Sequence, residues 1–94
     1  MPPDWKIGAK FRCTANPDGS RGRFAHRIYK HPPHGGHRAR HILAADLYCD
    51  FTKTYTIKAI FVSQQWLAVQ FEVDDTLVWT NVRKNNEWWA EIVP

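Results

Sequence analysis

Between Asp18 and Asp46 the chain has no acidic residue. Paired carboxylates of the kind glycosidases use are missing elsewhere too, since the one adjacent pair, Asp74-Asp75, falls where a turn is expected. Cysteine is scarce: Cys13 and Cys49 are two thiols in 94 residues, with no Cys-x-x-Cys pair, too few for a disulfide framework. Free thiols in a reducing compartment are expected, and the spacing by itself neither requires nor forbids a bridge. No apolar run exceeds four residues, Ala59 to Val62 being one of them, which excludes a membrane-spanning helix. The N-terminus, Met1-Pro2-Pro3-Asp4-Trp5-Lys6, lacks the charged and then apolar order of a secretion signal, so a soluble cytoplasmic protein is expected. Gly35-Gly36 lacks the strand–loop–helix setting of a phosphate loop, and no serine or cysteine triad is visible. No cofactor and no membrane partner are therefore expected.

What is present is positive charge, unevenly placed. Residues 1–50 carry nine Lys or Arg against four Asp or Glu, whereas residues 51–94 carry four against five. The acid-free stretch holds Arg21, Arg23, Arg27, Lys30, Arg38 and Arg40, together with all five histidines. One-sided charge of this kind points to a polyanionic partner, with a solvated basic loop as the plainer alternative. Large rings are also abundant, with five Trp, five Phe and three Tyr available to a small core.

The hydrophobic pattern is that of a β domain. Trp5 to Cys13 alternates, with Trp5, Ile7, Ala9, Phe11 and Cys13 on one face. Asn16-Pro17-Asp18-Gly19 has turn chemistry, and Arg23 to Lys30 reads as a returning strand, making residues 5–30 a hairpin. His31-Pro32-Pro33-His34-Gly35-Gly36-His37 reads as a loop, part of an inserted basic, histidine-rich loop over about 31–41. Arg38 to Tyr48 suits either a short helix or a strand, with a short helix over part of it favoured. Further strands are expected over Tyr55–Ser63, Trp66–Val73, Thr76–Arg83 and Trp88–Val93, with turns at Asp74-Asp75 and at 84–87. On Trp66–Val73, Leu67, Val69, Phe71 and Val73 share a face. Short strands at roughly ten-residue spacing in one domain, 1–94, predict a mainly β fold. The expected form is an SH3-like or OB-like barrel of five to six antiparallel strands with one long basic loop.

Three clusters are candidates for function. In the run 21–30 cations alternate with rings: Arg21, Arg23, Arg27 and Lys30 would hold phosphates, while Phe24 and Tyr29 would stack on bases. Arg38, Arg40 and His37 extend that surface. The structural alternative puts Phe24 and Ile28 in the core. The histidines His26, His31, His34, His37 and His41 have spacings open to a metal, but the surrounding cations and the Pro-Pro and Gly-Gly pairs disfavour it. No metal is assigned, and the imidazoles are read as facing phosphate. Adjacent Trp88 and Trp89 must point to opposite faces if they lie on one strand. One then fills the core, and the other is a stacking or partner contact unless the long loop covers it.

Gly35-Gly36-His37-Arg38, then Ile42-Leu43 and Asp46, then Ile57-Lys58-Ala59-Ile60 resemble the loop–strand–strand pattern of MazF-type endoribonuclease toxins. The resemblance implies an SH3-like barrel and metal-independent RNA cleavage, with Arg38 in the place of the family's catalytic arginine. It spans only 35–60 and departs where Ala39 follows Arg38 in place of the family's Arg-Pro; the family's C-terminal helical part has no counterpart either. From the residues alone, no catalytic group is assigned. The expectation is non-enzymatic binding of RNA or single-stranded DNA. The alternatives are a phage- or plasmid-type accessory module that inhibits a host protein or binds a signalling nucleotide, and the toxin. Pairing of a β edge with a second copy, giving a homodimer, is left open.

Overall fold

A computed structural model describes residues 4–15, 28 and 49–94. The expected turn at 16–19, the strand at 23–30 apart from Ile28, the loop at 31–41 and the helix or strand at 38–48 lie outside the described residues. Those described are mainly β, with seven strands and no helix: β1 (Lys10–Cys13), β2 (Tyr55–Thr56), β3 (Ala59–Ser63), β4 (Trp66–Val73), β5 (Thr76–Lys84), β6 (Glu87–Trp88) and β7 (Ala90–Val93). Among them no helix is long and apolar enough to cross a membrane.

The strands form two antiparallel sheets, one in the order β2-β1-β7 and the other in the order β3-β4-β5-β6. The hairpins of the second sheet follow from their turns. Asp74 and Asp75, at φ 49° and 64°, close β4 onto β5, with Val73 opposite Thr76. Two left-handed residues give the twist that adjoining strands need. Gln64 and Asn85, at φ 52° and 55°, serve the other two hairpins, and the Asn85 amide donates to the Gln65 carbonyl at 2.8 Å, tying those turns together.

Three expected strands are broken. The first begins at Lys10, not at Trp5. The chain turns at Gly8, whose φ of 95° glycine adopts without strain, and the Ala9 amide donates to the Lys6 carbonyl at 3.1 Å. Ile7 is consequently exposed while Trp5 is buried, so the period-two pattern there does not mark a strand. The span 55–63 divides at Ile57-Lys58. Ile57 exchanges backbone bonds with Gly8 and Ala9 beside the first sheet, while the Lys58 amide donates to Gln70 in the second. The span 88–93 divides at Trp89, whose amide donates to Val82 in the second sheet and whose carbonyl accepts from Thr14 beside the first. The last two breaks are corners at which one chain passes between the sheets. With β2–β3 and β6–β7 as bent strands shared by both sheets, the arrangement is compatible with a small barrel-like fold.

The core lies between the sheets. Phe11, Ile57, Leu67, Val69, Phe71, Val78 and Val82 are wholly buried. The face expected on β4 is confirmed, with Val73 half-buried against the same cluster. A register shift beside Leu67/Ala68 pairs Leu67 with Arg83 and Ala68 with Asn81, leaving Val82 as the extra residue of a bulge. The Phe11 and Phe71 rings meet edge-to-face at 5.2 Å, and Tyr55 lies 4.9 Å from Phe71. Arg12 and Glu91 form an ion pair across β1 and β7. With both side chains about half exposed, that pair contributes little to stability.

Candidate polyanion-binding segment and its anchorage

The described residues hold seven Lys or Arg and seven Asp or Glu, so the β scaffold is neutral. Residues 16–48 hold six basic residues against Asp18 and Asp46, which is the whole of the chain's net charge of +4. The charge is thus concentrated on a segment whose two ends belong to one spot on the scaffold. On the outgoing side, the Thr14 and Ala15 amides both face the Trp89 carbonyl, at 2.8 and 3.4 Å. On the return side, Cys49 is fully buried with its sulfur 2.7 Å from that of Cys13. Ile28, in the middle of the segment, is 3% exposed and belongs to the core cluster. Its apolar surface is buried in that core, as the structural alternative for 23–30 expected of Ile28.

Directly after the return point, Asp50 organises a tight turn. Its carboxylate accepts from the Thr52 amide at 2.8 Å and from the Thr52 hydroxyl at 2.6 Å, and its carbonyl accepts from the Lys53 amide. The Asp50 amide donates to the Tyr55 phenolic oxygen at 2.9 Å. Burial pushes the Tyr55 phenol up to about 12, and the bond from Asp50 opposes that shift without cancelling it. Burial also raises the Cys13 thiol well above its ordinary value, reinforced by its contact with Cys49. A thiol so placed is kept protonated and is a poor nucleophile in the folded state.

Of the residues assigned to binding from sequence, Arg21, Arg23, Phe24, Arg27, Tyr29, Lys30, His37, Arg38 and Arg40 lie outside the described residues, as do the other four histidines. Trp88 and Trp89 are described. Trp88 is half-buried, stacked on Trp5 with centroids 5.3 Å apart and planes 26° apart, and the Arg83 guanidinium lies 5.1 Å from its ring centre. Trp89 is 4% exposed, sits 6.1 Å from Trp66, and donates from Nε1 to Glu87 at 3.3 Å. Lys84 in turn lies 5.1 Å over Trp66. These cation–ring pairs are the feature that sequence reading missed. The signal for one of them was within reach: a two-residue turn at Asn85-Asn86 sets Arg83 opposite Trp88, whereas Lys84 meets Trp66 through the pairing of β4 with β5.

Among the described residues no group of three His, Cys, Asp or Glu is placed to hold a metal. No family model, curated protein or solved structure matches this chain.

Proposed function

We propose that this domain binds a polyanion, RNA or single-stranded DNA, without cleaving it, through the basic segment 16–48 carried on a neutral β scaffold of SH3-like or OB-like barrel type. The observation that carries the reading is the division of charge: +4 on the segment and zero on the scaffold that holds both its ends. Arg21, Arg23, Arg27, Lys30, Arg38 and Arg40 hold phosphates, and Phe24 and Tyr29 supply stacking faces, the two contact types that sequence-tolerant single-strand binding needs. Arg83 on Trp88 adds a cation–ring pair on the scaffold. The neutral scaffold matters because an acidic one would repel the same ligand.

The test is a titration of the full chain against labelled single-stranded RNA, single-stranded DNA and duplex DNA over a range of salt. Binding to the single strands should fall steeply as salt rises. The double variant Arg23→Ala/Arg27→Ala, if two phosphate contacts are lost, should flatten the log–log salt slope by about 1.4. Affinity that is insensitive to salt, or unchanged in the double variant, overturns the reading. Shortened RNA that disappears with Arg38→Ala would replace it with a nuclease.

A further inference from the structure

Cys13 lies in β1, and Cys49 lies 36 residues further on, at the point where the chain rejoins the scaffold. Their sulfurs are 2.7 Å apart, and the two side chains are 1% and 0% exposed. Both are free thiols in this structure. A disulfide bond is about 2.05 Å long, so closing it needs the sulfurs to approach by only about 0.7 Å. We infer that Cys13 and Cys49 are a disulfide-forming pair, and that a small-molecule disulfide such as oxidised glutathione converts them to a cross-link that staples the base of segment 14–48. The inference does not depend on what that segment binds.

The chemistry balances as two exchanges. One protein thiolate attacks a sulfur of the glutathione disulfide, forming a mixed disulfide and expelling one glutathione thiolate. The second protein thiolate attacks the protein sulfur of that mixed disulfide, forming the Cys13–Cys49 bond and expelling the second glutathione. Two electrons pass from the protein to glutathione, and the two thiol protons end on the two departing thiolates. Burial of both sulfurs sets the kinetics. Neither is reachable in the closed fold, and Cys13 is held protonated. Exchange therefore runs through a locally opened form that exposes the two sulfurs. The same burial then protects the finished bond from reductants.

The cross-link removes the freedom of a long loop from the unfolded chain, so the oxidised protein should melt on the order of 10 °C or more above the reduced one. The experiment takes the full chain, purified reduced, and incubates it with oxidised glutathione with and without mild urea. Thiol titration, intact mass, non-reducing electrophoresis and thermal unfolding are then measured. The expected product is a monomer lighter by two hydrogen atoms, without titratable thiols and with a raised melting temperature. It should form faster in urea and resist dithiothreitol until urea is added. Persistent thiols in urea, a stable glutathione adduct, cross-linked dimers, or an oxidised monomer that melts no higher would each overturn the inference. Cys13→Ala and Cys49→Ala should each abolish the gain. If either variant fails to fold, the comparison of oxidised and reduced wild-type protein still decides the matter.

Discussion

The edge-to-face contact between Phe11 and Phe71 joins the two sheets at the centre of the core, and its energy can be isolated. Phe11 belongs to the three-stranded sheet and Phe71 to the four-stranded one; both are 0% exposed, with centroids 5.2 Å apart and planes at 84°. Replacing either ring by Leu keeps the site apolar and nearly filled, so the sheets stay packed. Each replacement also loses its ring's other partners: Trp5 and Tyr55 for Phe11, and Tyr55 for Phe71. Each single variant should therefore lose about 1–2 kcal/mol, lowering the urea midpoint by on the order of 1 M. The double variant should lose less than the sum, because the pair is already broken by either change. The shortfall should be about 0.5–1.5 kcal/mol, the worth of one edge-to-face pair beyond its buried area. Equilibrium urea unfolding followed by tryptophan fluorescence and circular dichroism supplies all four corners of the cycle, provided the two probes coincide. Distant sites add to within about 0.3–0.5 kcal/mol, so a coupling below that level means the rings do not touch and the sheets do not face each other as described.

Two further outcomes follow from single residues. The Tyr55 phenol is held up to about 12 by burial, whereas an unfolded tyrosine loses its proton near its ordinary value of about 10. Above that value the folded state holds the extra proton, so Tyr55 adds stability fully below pH 10 and loses it as pH rises through 12. In a spectrophotometric titration Tyr55→Phe should remove a phenolate component near pH 12, and a Tyr55 component that instead falls near pH 10 would refute this. At the β4–β5 turn, Asp75→Gly should raise stability by about 0.5 kcal/mol, because relief of the left-handed backbone exceeds the added freedom of the unfolded chain. Asp75→Val should lower it, and thermal unfolding of the pair that reverses this order would show that the turn is not of the left-handed type.

The sequence by itself determined the β class, the two strands from Trp66 to Arg83 with their turn at Asp74-Asp75, the buried face of Leu67, Val69 and Phe71, and the concentration of positive charge in the acid-free stretch. Each of these is local: strand periodicity, turn chemistry and charge are properties of neighbours along the chain. Tertiary structure decided the rest. Alternation continues through a bend, so the pattern at Trp5–Cys13 could not reveal the turn at Gly8. Nor could β-rich runs show that Ile57-Lys58 and Trp89 are corners where one strand serves two sheets. The assignment of Trp88 to Trp5 and Arg83, and of Trp89 to Trp66 and Glu87, depends on the corner between them. The meeting of Cys13 with Cys49 is the clearest case. Spacing places two thiols 36 residues apart, and only the pairing of β1 with both β2 and β7, together with the return of the chain beside it, brings their sulfurs to 2.7 Å.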